Sequence, residues 1–478
     1  MTVRTRIAPS PTGYPHIGTI YQAWLDFVFA AKNNGQFIVR IEDTDQKRLV
    51  KDAEAKIWEA LDWFGISENE SPRKGGAFAP YRQSERLDLY KKYVLSLVES
   101  GHAYYCFCTS KRLDEVRKQM QKAGKPPMYD KHCRNLNKDE IKKKLTNGEP
   151  YVIRLKVPEN EKIIVKDLLR GEIEFDSNTV DDQVLLKSDG FATYHLAAIV
   201  DDHLMQITHA VRGEEWLPSA PKHFLVYRYL GWQPPIYVHT PTLRNTDKTK
   251  LSKRKGHTNV DWFIGEGFLP DALINFLSQL GWTHPQEKEI FSREEFTQLF
   301  DLKDLSPIGP VFDETKLRWM NGKYVREMSE TDFIIWAKKF SDQDLSSETW
   351  HKLTPLIAER VEVFSQIPEL IAFLKPDIDI DIELVKKQTK QDSEAIKKLL
   401  TDLKDRLSGL NNWTVSSIEV VIRDLKSVYS DWKPRDFFMT IRVVTTAFPV
   451  TPPLFESIEL LGKELVISRL NQVINSMI

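Results

Sequence analysis

Apolar and polar residues alternate over positions 4–8 and stop at a Pro/Gly turn. Beyond it Ile20, Trp24, Phe27 and Val28 recur at helical spacing until Gly35. The pattern predicts a strand, a tight turn and a helix over 17–34. Residues 37–41 read as a buried strand that delivers Glu42, Asp43, Thr44 and Asp45 at its C-terminal end, the edge of a parallel sheet at which ligands gather. Helices over 52–64 and 84–100 complete a strand, helix, strand, helix order, which predicts a doubly wound α/β domain.

Over 101–190 the pattern changes to Lys-rich helix, Pro-containing loops and short strands such as 151–157 and 183–187, so this stretch is expected to be an α+β insertion that splits the domain. The α/β pattern returns with apolar runs at 196–200 and 205–211 and a helix over 220–230, and it reaches a lysine-rich loop at Lys250. After Asp261 strand signals largely vanish, and 272–280, 293–300, 313–321 and most of the remainder are helical patterns separated by Pro and Gly. The expected organisation is therefore a first half-domain over 1–100, an insertion over 101–190, a second half-domain over 191–260, a helical region over 261–328 and an all-α region over 329–478. A linker-like interruption falls at 375–381, around Pro376.

With 478 residues, 41% of them hydrophobic and 28% charged, the chain has the size and balance of a soluble globular protein of three or four domains. No apolar run approaches the length of a spanning helix. The motif beginning at Pro9 leaves no room for a leader, so a cytoplasmic location without membrane contact is expected. A net charge of −1 does not announce a nucleic-acid partner, and any RNA contact must use local patches. Two are present, a lysine-rich stretch over 111–144 and the run 248–255. Taken alone, each reads as a solvated face ahead of a nucleic-acid site.

Two segments carry phosphate chemistry. The first is 9–19 (PSPTGYPHIGT), in which Gly13 and Gly18 let backbone approach a polyphosphate, the new helix offers N–H groups, and His16 can donate to phosphate oxygens. The second is Lys250, Leu251, Ser252, Lys253 and Arg254, a cationic loop able to meet the same phosphates from the other side. Cysteine usage adds a third candidate site. Cys106, Cys108 and Cys133 cluster near Tyr129 and His132, and the chain has no other cysteine. Three thiolates supply most of a tetrahedral zinc shell, and three small buried residues are the alternative.

The pairing of HIGT with the lysine loop resembles the HIGH and KMSKS signatures of class I aminoacyl-tRNA synthetases, with Thr19 at the last His and Leu251 at the Met. Neighbouring blocks narrow the resemblance to bacterial-type glutamyl-tRNA synthetases. They are 40–45 (RIEDTD), 200–216 (VDDHLMQITHAVRGEEW) and 312–326 (FDETKLRWMNGKYVR). The resemblance implies a Rossmann-type doubly wound parallel sheet split by an acceptor-end-binding insertion and followed by all-α stem-contact and anticodon-binding domains. It implies ATP with Mg²⁺, L-glutamate and tRNA(Glu) as reactants, and a monomer.

Residue by residue, it gives His16, Thr19, Lys250 and Lys253 the catalytic positions. Gly18, Glu215, Leu243, Leu251, Ser252 and Arg254 join His16, Lys250 and Lys253 around ATP, with Glu215 at the ribose and the backbone near Leu243 at the adenine. Arg6, Tyr194 and Arg212 would face the glutamate side chain in an arrangement suited to bidentate bonding. Glu42 and Ser10 would serve its α-amino end, beside Ala8. Without the family, Arg212 and Glu42 read as a structural ion pair. A structural zinc is implied at Cys106, Cys108 and Cys133, with Tyr129 as fourth ligand and His132 behind it, because Asn135 stands where some relatives carry His. Ala198 stands where relatives often carry Asn in the pocket.

Beyond Glu327 the likeness fades to architecture and short phrases such as 460–463 and Arg469. A glutaminyl enzyme is disfavoured because its anticodon region is a β-barrel, whereas this C-terminus reads helical. An enzyme that also charges tRNA(Gln) and a catalytically silent tRNA-binding paralogue stay open as alternatives.

Overall fold

A computed structural model describes residues 2–251, 258–388 and 391–477. The chain forms two compact units, one of residues 1–264 and 270–314, the other of 265–269 and 315–478.

The first unit is built on a sheet whose central strands are parallel. Strand β1 (Arg4–Ile7) pairs in parallel with β2 (Gln36–Val39), from Arg4 opposite Gln36 to Ile7 opposite Val39. On its other side the Thr208 N–H donates to the Arg4 carbonyl at 2.9 Å, while the Arg4 N–H donates to Thr208 Oγ1 at 2.8 Å. Strand β1 thereby lies beside the strand that begins at His209. Within the split found at 101–190 in sequence, β3 (Ala103–Cys106), β4 (Val152–Leu155) and β7 (Val184–Leu186) form a separate antiparallel sheet. The hairpin of β5 (Lys162–Asp167) and β6 (Gly171–Asp176) instead joins β9 (Ile236–Thr240), which pairs in parallel with β8 (His209–Gly213). From this junction the strand order runs outward both ways, β1 to β2 on one side and β8 to β9 on the other, the kind of switch point at which doubly wound folds open a crevice.

Helix α1 (Ile17–Lys32) covers one face, and Ile17, Ile20, Trp24, Leu25 and Val28 are buried along it. Helices α2 (Ala53–Trp63) and α3 (Leu87–Glu99) follow as expected. In the insertion, α4 (Ser110–Lys122) and α5 (Lys138–Thr146) have no buried residue. The apolar run at 196–200 has the length of a buried strand but lies inside helix α6 (Tyr194–Leu204). Leu196 to Val200 are all buried there, in one core with Tyr90, Val94, Leu225 and Val226 of α3 and α7 (Ala220–Leu230). A helix enclosed on every side loses its 3.6-residue signature, and periodicity cannot tell it from a strand.

The second unit is helical throughout its described residues. Arg469, buried near its centre, donates to the carbonyls of Thr445, Phe373 and Lys375 at 2.6, 3.0 and 2.6 Å. It ties the helix over 463–476 to two other segments, 373–375 and Thr445, with no carboxylate partner among the described residues. Burial pulls its guanidinium down to about 10.

Candidate active site

At the C-terminal ends of β1 and β8 a cavity of about 480 Å³ opens, lined among others by Arg6, Ala8, Ser10, Glu42, Tyr194 and Arg212. All six residues assigned to glutamate from the sequence thus meet in one place. A second cavity of about 340 Å³ adjoins it and shares Gln22 and Trp216 as wall. His16, Gly18, Thr19, Glu215, Leu243, Lys250 and Leu251 line this second space. Ser252, Lys253 and Arg254 lie outside the described residues. Ala198 is buried in α6 and lines neither cavity.

The two phosphate motifs, distant in sequence, are joined by backbone. The Ile17 N–H donates to the Thr258 carbonyl and the Val260 N–H to Pro15, while the Leu251 N–H donates to Leu243. One flank of 252–257 is therefore bonded to the start of α1, and the other to Leu243, which lines the same cavity as His16. That start is capped by His16, whose Nδ1 accepts from the Gly18 N–H at 2.9 Å. In the neutral ring the proton must then sit on Nε2, which makes His16 a donor at the mouth of the helix. Lys250 Nζ lies 3.8 Å from Glu215, both half exposed.

The floor of the first cavity is a buried charge network. Arg6 donates to Asp202 through Nε at 3.1 Å and to the Val211 carbonyl through Nη1 at 3.0 Å. Arg40, fully buried, donates to Asp202 at 2.8 Å and to Glu42 at 3.1 Å. Burial alone would raise Asp202, yet Arg6 and Arg40 outweigh it and hold the carboxyl below its usual range. For Glu42 the balance goes the other way: burial dominates the pull of Arg40 and Arg6 and pushes it up to about 7. The sequence reading missed Arg40, Asp201 and Asp202 as supports of the site. The signal was available, because two adjacent aspartates within an apolar helical run require buried cations.

Arg212 is not the structural ion pair that its sequence position suggests. Its Nε donates to His239 at 3.0 Å, and its Nη1 donates to His223 at 3.0 Å and to the Tyr194 hydroxyl at 3.3 Å. Nη2 is buried with no hydrogen-bond partner among the described residues. No free bidentate fork is therefore presented, and one guanidinium nitrogen remains.

The family model for the catalytic domain of class I tRNA synthetases (E and Q) matches residues 2–319, and one described as an anticodon binding domain matches 325–474. The glutamate–tRNA ligase of Marinomonas sp. (strain MWYL1) is 44% identical over 474 residues, covering 99% of this chain and 95% of that protein. The chain belongs to the class I glutamate–tRNA ligase family. Another member, from Acidothermus cellulolyticus, is 42% identical over 483 residues, with 99% and 95% covered. The fold of the family is equally plain: a crystal structure of a glutamate tRNA ligase from Elizabethkingia meningosepticum, in complex with its amino acid, matches with a TM-score of 0.88 at 35% identity. It covers 100% of both chains. The helical C-terminal unit agrees with this family and with the sequence-based argument against a β-barrel. No described helix is long and apolar enough to cross a membrane.

In the insertion, Cys106, Cys108 and Cys133 bring their sulfurs within 4.8 Å of one another. Cys108 and Cys133 are 3.6 Å apart, close to the roughly 3.8 Å that two thiolates take on a tetrahedral zinc with bonds of about 2.3 Å. The Tyr129 hydroxyl is 3.3 and 3.5 Å from the sulfurs of Cys106 and Cys108. His132 is exposed and outside the cluster. The three sulfurs are close enough to hold one metal ion, and the Tyr129 hydroxyl lies beside them.

Proposed function

We propose that the chain is a glutamate–tRNA ligase acting as a cytoplasmic monomer, which activates L-glutamate with ATP and Mg²⁺ and passes the glutamyl group to tRNA(Glu). The observation that carries this reading is the pair of adjoining cavities, one lined by groups for an ammonium and a carboxylate, the other by the HIGT turn and the first residues of the lysine loop. Activation joins a glutamate α-carboxylate oxygen to the α-phosphorus of ATP and expels pyrophosphate. The 3′-terminal ribose hydroxyl then attacks the carbonyl carbon and AMP leaves. No enzyme nucleophile is needed, and catalysis rests on placement and positive charge.

In this reading Arg212, Tyr194 and Arg6 receive the side-chain carboxylate, and Glu42 and Ser10 the α-ammonium, beside Ala8. His16, Gly18, Thr19, Glu215, Leu243, Lys250 and Leu251 surround ATP, with Ser252, Lys253 and Arg254 completing the cationic side. The direct test is glutamate-dependent ATP–pyrophosphate exchange with and without tRNA, together with charging of purified tRNA(Glu). Exchange driven by another amino acid, or none, overturns the reading.

Glu42 gives the site a pH signature. A carboxyl raised to about 7 is largely neutral in acid and ionised above neutrality, and only the ionised form pairs with an ammonium. The KM for glutamate is therefore expected to be lowest above pH 7 and to rise about tenfold per pH unit below it, while the KM for ATP changes much less. A glutamate KM flat from pH 6 to 8.5 would remove Glu42 from the ammonium site.

Zinc at Cys106, Cys108, Cys133 and Tyr129 would shape the insertion. Protein purified without added metal is expected to carry about one equivalent, and Cys108→Ser to lose it and melt at lower temperature. Metal-free protein with unchanged melting counts against the site.

A further inference from the structure

Arg212 carries five N–H donors, and its neighbours use them unequally. It is the penultimate residue of strand β8, directly opposite His239 of β9 in the parallel ladder, and that register brings His239 Nε2 to the Arg212 Nε–H. His239 is fixed from behind by Asp167, the last residue of β5, whose Oδ2 accepts from both the His239 backbone N–H at 3.0 Å and Nδ1 at 2.6 Å. The proton of His239 is therefore on Nδ1 and its Nε2 lone pair faces Arg212.

On the other side His223 of α7 accepts from Arg212 Nη1 through Nδ1. Its own proton then lies on Nε2, 3.0 Å from Nδ1 of His195. Burial holds His223 and His239 below the usual imidazole range and takes His195 down to about 4, with neighbouring cations adding to the effect. Both rings that touch Arg212 are neutral. With Tyr194 accepting from Nη1 as well, three donors are committed and the pair on Nη2 is left.

The contrast with Arg6 and Arg40 is chemical. Those two guanidinium groups are paired with carboxylates, which cancel most of their charge. Among the described residues no carboxylate pairs with Arg212, and the negative charge of Asp167 is kept one imidazole away. Neutral acceptors orient a cation without neutralising it.

We propose that His223 and His239 are positioning residues for substrate selection, neutral acceptors that hold Arg212 in place, preserve its full charge and leave Nη2 to receive an anionic amino-acid side chain. This rests on the assignment of Arg212 to the glutamate side chain made above. The Tyr194 hydroxyl, accepting from Arg212, has its own proton to add to the same carboxylate. A glutamine side chain accepts the same hydrogen bonds but gains nothing from the preserved charge, so discrimination depends on the rings staying uncharged.

The test compares His223→Asn and His223→Asp in the full-length enzyme. The two are nearly isosteric and both offer an acceptor near the Nδ1 position, but only the second brings a negative charge to Arg212. His223→Asn is expected to keep the glutamate KM within about threefold of wild type. His223→Asp is expected to raise it by roughly tenfold or more, to narrow the preference for glutamate over glutamine, and to leave the KM for ATP nearly unchanged. If the Asp variant does not fold, His223→Leu, which removes the acceptor without adding charge, is expected to raise the glutamate KM selectively against His223→Asn.

Equal glutamate KM values for His223→Asn and its folded counterpart overturn the proposal, as do parallel losses in glutamate KM, ATP KM and melting temperature. Arg212→Gln, assayed alongside, separates the two levels of inference. Loss of glutamate selection in Arg212→Gln with none in the His223 variants defeats the positioning role alone. An unchanged Arg212→Gln defeats the underlying assignment and the positioning role with it.

Discussion

Replacing Arg212 by Gln lowers kcat/KM for glutamate by roughly 30-fold to several thousand-fold, the kinetic equivalent of the about 2–5 kcal/mol lost when one member of a buried charged pair is removed. The expected loss is large because the substitution acts twice. It deletes the positive charge that the substrate carboxylate would meet, and it leaves His239 and His223 with lone pairs that no longer receive the Arg212 donors at 3.0 Å. ATP binding should be nearly untouched, since Arg212 lines the first cavity and not the second. Charging at varied glutamate and glutamine decides the matter, and a variant with wild-type kcat/KM for glutamate would return Arg212 to a structural role.

Lys253→Ala is expected to cut adenylate formation by roughly 10²-fold or more with little change in the KM for glutamate. Lys253 lies outside the described residues, and the expectation rests on its family position and on how the flanks of the loop are anchored. Leu251 on one side bonds to Leu243 and Thr258 on the other to Ile17. Lys250 and Leu251 already line the ATP-side cavity. A lysine that meets phosphates mainly as charge builds toward the transition state contributes to turnover more than to binding. Single-turnover charging is the appropriate measurement, and an unchanged rate removes Lys253 from the mechanism.

Much of this site was legible before any coordinates. Most of the residues proposed to touch substrates sit in short local blocks, 9–19, 40–45, 212–216 and 250–254, where turn chemistry and charge leave a signature, and Arg6, Ala8, Tyr194 and Leu243 lie outside them. The supports did not. Nothing local to His223 or His239 distinguishes a ring that holds Arg212 from an ordinary buried histidine, because their partnership depends on the β8–β9 register and on the packing of α7. The helix at Tyr194–Leu204 hid for a related reason: complete burial erased its period. Likewise the pairing of β5 with β9 joins residues about seventy positions apart, and no window on the sequence spans it. Short-range patterns encode what a segment offers, and long-range contacts decide where it is offered.

The junction between β1 and β8 also sets a timetable. Arg6 and its partner Asp202 are 196 residues apart, and β1 cannot acquire its second neighbour until the whole insertion has been made. At about 5–20 residues per second of synthesis, that is a wait of roughly 10–40 s. During this interval Arg6 of β1 is without the Asp202 carboxylate that it meets in the finished fold. The order of synthesis thus leaves one flank of β1 for last, and the cavity at the β1–β8 junction can close only after β8 has emerged.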